Sequence, residues 1–362
     1  MEEQMKPNGG PGRPAGSRPN RPRQADIARL AGVSQPTVSL ILSGGSAAVG
    51  IADETRRKVM AAAEQLGYMP DPIAKRLAAG QNNLLGLYTF TATFPTEMSH
   101  AYHPFLVGIE QESAVQGYDL LMFIASSVTG ERPHAEVLNR VRLADGCLFM
   151  GRHLPIREMD RLLATELPVV YLGRHDDFGE RLPYVGADYV TASAEVVRHL
   201  AELGHRDILY VRELDDAISA VDREAGFRRG MAECGLAVDR NTVVRTDGSD
   251  LTTDRLRGWY ERGVTAIVTE ATDTDAAHRA LLAAASAAGY GFPEDLSLAT
   301  LGAPEHAEQG PAGLTGFVVP RREMGAAAVR LLTGLIAGDR ASARHQLMDC
   351  ALEVGRTAGP VR

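Results

Sequence analysis

Residues 31–40, AGVSQPTVSL, place several hydrogen-bonding side chains within one short stretch. Ser34, Thr37 and Ser39 carry hydroxyls that donate and accept hydrogen bonds, and Gln35 carries an amide that does both. No His, Lys or carboxylate stands among them to activate a hydroxyl as a nucleophile. These side chains can therefore recognise a polar surface by hydrogen bonding. They can do so only if neighbouring secondary-structure elements hold residues 31–40 rigidly.

Two short helices are expected to hold it. The first has one apolar stripe at helical spacing, made of Ile27, Leu30 and Ala31. It ends at Gly32, because glycine adopts the left-handed conformation of a helix end without steric cost. Ser34 has the chemistry of an N-cap for the second helix. Pro36 falls in the first turn of that helix, where a missing N–H removes no intrahelical hydrogen bond.

The second helix has a buried face and an outward face. Val38, Ile41 and Leu42 recur at helical spacing and are expected to face the first helix. The residues left pointing outward are Gln35, Pro36, Ser39 and Leu40. Two helices joined by a tight Gly-containing turn, with a small polar outer face on the second, predict a helix-turn-helix that enters the major groove of double-stranded DNA. An ordinary helical hairpin within a core is the alternative.

A third helix follows in the run DETRRKVMAAAEQLGYMP. Its expected features are a start at Ala52 or Asp53, a buried stripe of Val59, Met60, Ala63 and Leu66, and a stop at Gly67. Arg56 and Lys58 lie in its exposed first half. Together with Ser34 and Thr37 they are expected to contact DNA phosphates.

The formal net charge of −8 conceals an asymmetry along the chain. Residues 1–80 carry 11 Lys and Arg against 7 Asp and Glu, whereas the remainder carries 27 against 39. A basic head before an acidic body is typical of a nucleic-acid-binding module whose body is repelled by the polyanion. The first 23 residues are rich in Pro, Gly and Arg, so they predict a disordered arm. Its arginines are Arg13, Arg18, Arg21 and Arg23. They are expected either to contact DNA phosphates or only to keep the arm soluble.

Length and composition bound the class of protein. A chain of 362 residues exceeds one ordinary core and suggests two or three domains. No apolar run approaches the roughly 18 residues that span a bilayer, and the amino terminus lacks the apolar centre of a signal peptide. A cytoplasmic protein, associated with the nucleoid through DNA, is therefore expected. Three widely spaced cysteines, Cys147, Cys234 and Cys350, indicate buried thiols rather than a disulfide or a zinc site.

The motifs DIARLAGVSQPTVSLIL, ETRRKV, LGYMP and IAKRLA occur in this order at highly specific spacings. In combination they resemble the amino-terminal region of the LacI/GalR family of bacterial transcription repressors. The resemblance implies that residues 73–79 form a hinge helix when two subunits meet on operator DNA, and that Leu77 opens a central base step from the minor groove. Apolar wedges of this kind kink a duplex. The residues implied to lie along the minor groove are Ile73, Ala74, Leu77 and Ala78.

From Leu84 onward, strand-like apolar runs alternate with helical patterns. Alternation of this kind predicts parallel sheets covered on both faces, and about 270 residues of it predict two lobes. The looser resemblance in this region implies the type I periplasmic-binding-protein-like fold, with a small molecule in the cleft between the lobes. The expected fold class is thus an all-α helix-turn-helix head joined to an α/β two-lobed effector domain.

The boundaries of these parts are expected as follows. The disordered basic arm occupies residues 1–23, the DNA-binding domain 24–69, the hinge helix and linker 70–82, and the effector-binding and dimerisation domain 83–362. By analogy with the family, the chain crosses between lobes near Leu203, Leu314 and Arg344. One lobe then comprises about 84–203 plus 315–344, and the other about 204–314 plus 345–356.

Two charged side chains and several aromatic ones are expected to contact the effector. Asp188 follows the run YVGA and matches a family carboxylate at the start of a cleft-lining helix, and Arg223 matches an arginine that donates hydrogen bonds to effectors. Each has a simpler alternative: Asp188 can cap its helix, and Arg223 can pair with Asp222 or Glu224. The aromatic side chains that can stack on a ring, or simply pack in the core, are Phe90, Phe94, Tyr102 and Phe105.

One departure from the family pattern concerns the effector. Where the family usually has paired acids after a strand, this chain has Gly302 and Ala303. In sugar-responsive members one of these acids accepts hydrogen bonds from hydroxyls. The expected effector is therefore a sugar held differently or another small metabolite. Glu305 and Glu270 are the alternatives for the acidic role.

No catalytic or metal-binding set is evident in the sequence. His100 and His103 do not form a convincing set of metal ligands, and neither does the group RHDD at residues 174–177 with His175, Asp176 and Asp177. No phosphate loop and no Ser-His-Asp or Cys-His arrangement is identifiable. We expect a non-enzymatic, cofactor-free, ligand-responsive repressor that binds a palindromic operator as a homodimer. The sequence leaves the choice between inducer and co-repressor open, and a solute-binding protein or a cleft enzyme of the same fold is the alternative.

Overall fold

The structure is a computed structural model. It describes residues 22–43, 50–68, 82–89, 102–124, 139–272, 274–302, 313–339 and 344–361. The chain separates into two compact units, residues 1–82 and 83–362. Among the helices of the described ranges, none combines the length and apolar character needed to cross a membrane.

The first unit contains three helices: α1 (Gln24–Ala31), α2 (Gln35–Ser43) and α3 (Asp53–Gln65). The backbone N–H of Arg23 donates to Asp26 Oδ2 at 2.9 Å, which caps the start of α1. Gly32 ends this helix in the left-handed region, at a φ of 67°. The predicted helix-turn-helix is present, with the turn and the helix starts where the sequence indicated.

A small core holds the three helices together. Ile27, Val38 and Val59 are fully buried in it. Two expected core residues, Leu30 and Met60, are instead 47% and 53% exposed, and the neighbouring alanines Ala28 and Ala62 take their places. Each of the three helices contacts both of the others. Its buried face therefore points between two partners, and it is shifted by one or two residues from the face that a single partner would cover.

The described part of the second unit forms twelve strands and seven helices. The strands are β1 (Leu84–Thr89), β2 (Asp119–Ile124), β3 (Gly146–Met150), β4 (Val169–Leu172), β5 (Tyr184–Ala187), β6 (Ile208–Arg212), β7 (Val243–Arg245), β8 (Ala266–Glu270), β9 (Ser297–Leu301), β10 (Thr315–Val318), β11 (His345–Met348) and β12 (Ala351–Glu353). The helices are α4 (His103–Val115), α5 (Ile156–Leu163), α6 (Tyr189–Glu202), α7 (Ile218–Glu233), α8 (Thr253–Glu261), α9 (Ala276–Ala288) and α10 (Arg321–Ile336). Single 3-10 turns lie at Val141–Leu143 and Gly179–Arg181.

These strands form two six-stranded sheets. The first has the order β11-β5-β4-β3-β1-β2 and the second has the order β12-β10-β9-β8-β6-β7. All pairings are parallel except that of β10 with β12. The inner strands are buried along their whole length, as β3 and β8 illustrate, because helices cover both faces. The predicted α/β architecture of two parallel sheets is confirmed.

Glycines allow the covering helices to pack closely in pairs. A Cβ atom on Gly108 of α4 would lie 1.9 Å from the carbonyl oxygen of Arg322 in α10. A Cβ on Gly226 of α7 would lie 2.3 Å from the carbonyl oxygen of Val190 in α6. Real Cβ atoms do not approach so near, so each helix pair depends on the missing side chain. The pair α4–α10 packs on the first sheet, and α6 packs on the second.

The chain crosses between the lobes at three points that differ from those expected. β5 belongs to the first sheet while α6 lies on the second, so the first crossing is at Asp188 rather than near Leu203. β10 is hydrogen-bonded within the second sheet, which moves the next crossing from Leu314 to Pro320. β11 pairs with β5, which moves the last one from Arg344 to the residues after Met348.

The first lobe therefore comprises residues 84–187 with 321–348, and the second comprises 189–318 with 351–353. The expected assignment of 189–203 and 315–318 to the first lobe is wrong, and so is that of 345–348 to the second. The position of each crossing depends on which sheet the next element packs against or joins. The hydrophobic periodicity of an element indicates its type and its buried face, but it does not indicate which sheet that face contacts.

Two histidines, His205 and His278, are buried in the second lobe. His205 lies 2.9 Å from Thr265 Oγ1 and 3.0 Å from the carbonyl oxygen of Gly359. His278 lies 2.8 Å from Thr269 Oγ1. Burial lowers the pKa of both histidines below the ordinary value, because the interior disfavours the charged imidazolium.

We expect the free energy of unfolding to decrease as the pH falls from about 7 to about 5. In this window the unfolded chain, with ordinary histidines, binds more protons than the folded one, so acid favours unfolding. The variant His278→Asn, which can still hydrogen-bond to Thr269, should flatten this dependence by up to about 1 kcal/mol per pH unit. Urea unfolding midpoints at pH 5, 6 and 7 measure the slope. An identical slope in the variant would show that His278 does not contribute.

Candidate DNA-binding face and candidate effector cleft

The outer face of α2 is polar and accessible. Gln35, Pro36 and Ser39 are exposed, and Leu40 is half-buried. Ser34 Oγ and Thr37 Oγ1 lie 2.8 Å apart, and the Thr37 N–H donates to Ser34 Oγ at 3.4 Å, as expected of an N-cap. Since a hydroxyl pair uses one of its two hydrogens, the other hydrogen can still be donated to a phosphate oxygen.

The basic residues at the start of α3 stand beside an exposed acid. Lys58 Nζ lies 2.8 Å from Glu54 Oε1, and both side chains are mostly exposed. The Lys58 ammonium lowers the pKa of the Glu54 carboxyl. A surface pair of this kind is weak, so Lys58 can exchange Glu54 for a phosphate. Arg56 is half-buried.

Several predicted DNA contacts lie outside the described residues. They are the hinge residues Ile73, Ala74, Leu77 and Ala78, and the arm residues Arg13, Arg18 and Arg21. Arg23, which was expected to belong to the arm, instead precedes α1 directly. The hinge and arm contacts remain predictions.

A cavity in the second unit lies between the two lobes. Its lining from the first lobe includes Tyr102, Phe105, Tyr171, Arg321 and Met324, and its lining from the second includes Tyr189, Ser219, Arg223, Ala271 and Thr272. The residues after β3, β4 and β8 contribute directly to its wall. The cavity thus lies at carboxyl ends of parallel strands, where ligands of open α/β folds bind.

Arginine–aspartate pairs bridge the lobes at this cavity. The strands β3 and β4 are each followed by the same tripeptide, Gly-Arg-His. Arg152 of the first tripeptide reaches Asp215 of the second lobe at 2.8 Å. Arg174 of the second donates two hydrogen bonds to Asp222, at 2.8 and 2.6 Å. We call these contacts the interlobe ion pairs.

Electrostatics favour the ionised form of both pairs. Hydrogen bonds to Asp222 raise the pKa of the Arg174 guanidinium above its ordinary value. Burial alone would raise the pKa of Asp215, but Arg152 is the main group that lowers it below the ordinary range. The Arg174–Asp222 pair is the more buried, with side chains 23% and 8% exposed. Both pairs join a residue of the first lobe to a residue of the second in the arrangement seen here.

Arg223 lies at the inner wall of the cavity and is buried. Its Nε donates to the carbonyl oxygen of Leu301 at 2.8 Å, and its Nη1 donates to that of Ser219 at 3.2 Å. The guanidinium stacks over the Tyr189 ring, 4.1 Å from the ring centre. Asp222 and Glu224, the expected alternative partners of Arg223, pair with other arginines instead.

The other expected effector contacts are only partly assembled. Tyr102 and Phe105 line the cavity with Arg223. Asp188 is absent from the lining and accepts a hydrogen bond from the Thr191 N–H at 2.9 Å, so the capping alternative describes its contact here. Glu270 is buried against Tyr210 and the backbone of Glu213, away from the cavity wall. Glu305, Phe90 and Phe94 lie outside the described residues.

Arg152, Arg174 and Arg321 line the cavity but were not among the residues predicted from the sequence to contact the effector. The signal that could have found the first two is the Gly-Arg-His tripeptide repeated after two predicted strands, since strand ends are where cleft residues lie. Across the described ranges, no group of three or more His, Cys, Asp or Glu side chains could hold a metal ion. Cys147 and Cys350 are buried free thiols, as expected, and Cys234 is partly buried.

Two family models match the chain. Residues 25–71 match the model of bacterial regulatory proteins of the lacI family, and residues 197–358 match that of a periplasmic binding protein-like domain. Catabolite control protein A of Priestia megaterium is 26% identical over 321 residues, covering 85% of this chain and 90% of that protein. The transcriptional repressor PurR of Photobacterium profundum is 26% identical over 319 residues, with the same coverage of 85% and 90%.

Solved structures show the same fold. The lac repressor dimer bound to operator and the anti-inducer ONPF matches with a TM-score of 0.72 and 20% sequence identity. The match covers 94% of this chain and 100% of that chain. The complex of the transcriptional regulator CelR with cellobiose has a TM-score of 0.60 at 23% identity, covering 93% and 100%.

Proposed function

Because the chain belongs to the LacI family of DNA-binding transcriptional regulators, we propose that it is a ligand-responsive repressor that binds a palindromic operator as a homodimer. The observation that carries this proposal is the exposed polar face of α2 on a rigid three-helix core. Gln35 and Ser39 contact base edges in the major groove, while Ser34, Thr37 and the basic start of α3 contact phosphates. The hinge residues contact the minor groove.

The cleft of the second unit is the proposed effector site. Tyr102, Phe105 and Arg223 line a cavity whose walls come from both lobes, so a bound molecule contacts the two lobes at once. A ligand that favours one lobe arrangement over another shifts the population of that arrangement. Through the dimer, this shift changes the spacing of the two DNA-binding heads and hence operator affinity. The protein acts in the cytoplasm, at the chromosome, and performs no catalysis.

Titration of the full-length protein against DNA from upstream of its own gene tests the proposal. We expect a site-specific complex whose affinity falls steeply as salt is raised, because phosphate contacts release counterions. Unrelated DNA of equal length should bind on the order of a thousandfold or more weakly at physiological salt. Binding that is absent, or that does not respond to salt, would contradict the repressor function.

The variant Leu40→Arg identifies which helix contacts the bases. Leucine offers only an apolar contact, such as one to a thymine methyl, whereas arginine donates two hydrogen bonds to guanine. We expect a randomised-operator selection to show a changed base preference at one position in each half-site, with a smaller change in overall affinity. Val354→Arg adds the same charge at an exposed site of the second unit and should leave the preference as it is. An unchanged preference in Leu40→Arg would show that Leu40 does not contact bases.

A further inference from the structure

A groove in the second lobe runs between strand β7 and helix α8. Its walls come from β7, from the residues that precede this strand, and from one face of α8 with Asp254, Arg255, Gly258 and Trp259. No residue that lines this groove also lines the cavity between the lobes. The groove is therefore separate from the proposed effector site, and we call it the β7 groove.

One side of the β7 backbone is unpaired. β7 is an edge strand of the second sheet and is hydrogen-bonded only to β6. The Tyr210 N–H of β6 donates to the carbonyl oxygen of Thr242 at 2.9 Å. Because the backbone groups of successive strand residues point to opposite sides, those of Val243 and Arg245 point away from β6. Among the described residues these groups have no hydrogen-bond partner, so they can pair with an added strand.

The β7 groove carries an excess of positive charge, although the body of the chain is acidic. Five arginines line the groove against three aspartates. The arginines are Arg206, Arg240, Arg245, Arg255 and Arg262, and the aspartates are Asp207, Asp239 and Asp254. The chain after residue 80 has 27 Lys and Arg against 39 Asp and Glu. A basic groove on an acidic body attracts an acidic partner to this one place.

Arginines on both walls are available to such a partner. Arg240 precedes β7, and Arg262 directly follows α8. Both are exposed, and within the described ranges neither side chain forms a hydrogen bond or an ion pair. Arg206 donates to two carbonyl oxygens, so its charge is balanced only by the neighbouring exposed Asp207. The other two aspartates are engaged by residues close to them in the chain.

The floor of the β7 groove is apolar. Trp259, the single tryptophan of the chain, is 4% exposed there, and Val244 and Val264 belong to the same apolar cluster. The Arg255 guanidinium lies 5.3 Å from the centre of the Trp259 ring. An apolar floor below basic walls is complementary to an extended segment in which acidic and apolar side chains alternate.

We propose that the β7 groove binds an extended acidic segment of a partner protein, which adds a strand to β7. The backbone of Val243 and Arg245 pairs with the backbone of the segment, and Arg240 and Arg262 bind its carboxylates. A second copy of this chain is a poorer partner, because two β7 edges side by side would bring their Arg245 charges together. The groove would thus give the regulator a protein partner in addition to DNA and effector.

Titration of the full-length protein with synthetic peptides tests the proposal. Trp259 lies in the groove and is the only tryptophan, so its fluorescence reports on this site directly. The first peptide alternates glutamate and valine, the second has glutamine for every glutamate, and the third has proline for every valine. The second lacks the charge, and the third cannot pair as a strand. We expect the first peptide to bind roughly tenfold or more tightly than either of the others.

Three charge reversals identify the contacts on the protein. Arg240→Glu and Arg262→Glu should each weaken binding of the first peptide roughly tenfold. Arg257→Glu is the matched control, because Arg257 is an exposed arginine of α8 outside the groove lining. It should change the affinity by less than about twofold. An unchanged Trp259 emission spectrum without peptide shows that each variant is folded.

Several results would overturn the inference. Equal affinities of the first and third peptides would mean that charge alone attracts them, without an added strand. Equal effects of the three charge reversals would place the binding outside the β7 groove. A saturable Trp259 response to single-stranded DNA, stronger than that to the first peptide, would show a nucleic-acid site instead. No response to the first peptide up to about 1 mM would mean that the arginines only protect an exposed sheet edge from aggregation.

Discussion

Gly325→Ala is expected to lower the unfolding temperature of the second unit by roughly 5–10 °C. Gly325 lies in α10 where that helix crosses α4, and a Cβ there would come within 2.4 Å of the carbonyl oxygen of Phe105 and 3.1 Å of the Ile109 nitrogen. Both neighbours are backbone atoms, so they can move only if the helices separate. Overpacking of this kind costs about 1–3 kcal/mol and occasionally more.

Gly334→Ala, in the same helix, is the matched control. A Cβ at Gly334 would meet its nearest neighbour, Cβ of Asp339, at 3.8 Å, which is ordinary van der Waals contact. Because alanine is favoured over glycine within helices by about 1 kcal/mol, this variant should be as stable as the parent or slightly more so. Thermal unfolding of the ligand-free protein, followed by circular dichroism, compares the two. Equal shifts would mean that α4 and α10 do not depend on the glycine contact.

Asp222→Asn is expected to destabilise the second unit by about 2–4 kcal/mol. The substitution removes the negative charge opposite Arg174, whose Nε donates to Asp222 Oδ2 and whose Nη2 donates to Asp222 Oδ1. Arg174 retains Asp176 as a partner, so the loss should fall somewhat short of that for a fully buried pair. Urea unfolding of Asp222→Asn, Arg174→Gln and the double variant gives the coupling energy, which should be about 1–3 kcal/mol.

An exposed pair provides the comparison for this cycle. Arg181 and Asp160 lie 2.8 Å apart within the first lobe, but their side chains are 57% and 58% exposed. Asp160→Asn should therefore change stability by no more than about 0.5 kcal/mol. If Asp222→Asn costs no more than this, the lobes are not held together by the interlobe ion pairs.

Local sequence signals predicted much of the fold. The helix-turn-helix was located from Gly32, Ser34 and Pro36. Capping and turn residues determine the backbone conformation of residues only a few positions away, so their effect can be predicted from the local sequence. Apolar runs such as YVGA before Asp188 predicted buried parallel strands for the same local reason. The short elements α5, α8, β7, β11 and β12 were not predicted, since few of them carry enough apolar residues to show a period.

Features that depend on distant partners could not be predicted from local signals. The lobe crossings are set by which sheet an element joins, and nothing in the residues of β10 or β11 specifies that sheet. Arg174 and Asp222 meet across 48 positions of sequence, so their pairing is visible only in the folded chain. Arg223 was found through the family resemblance, and its hydrogen bonds to the carbonyl oxygens of Leu301 and Ser219 became evident only in the folded chain.

The three lobe crossings have a consequence for synthesis of the chain. The first lobe needs α10 and β11, and the second needs β12, so neither sheet is complete until residues 345–353 have left the ribosome. The three-helix head is contiguous and can fold long before. A premature stop codon that removes residues after 340 would therefore deprive both lobes of a strand at once. Such a truncation should yield a folded head attached to an aggregation-prone body.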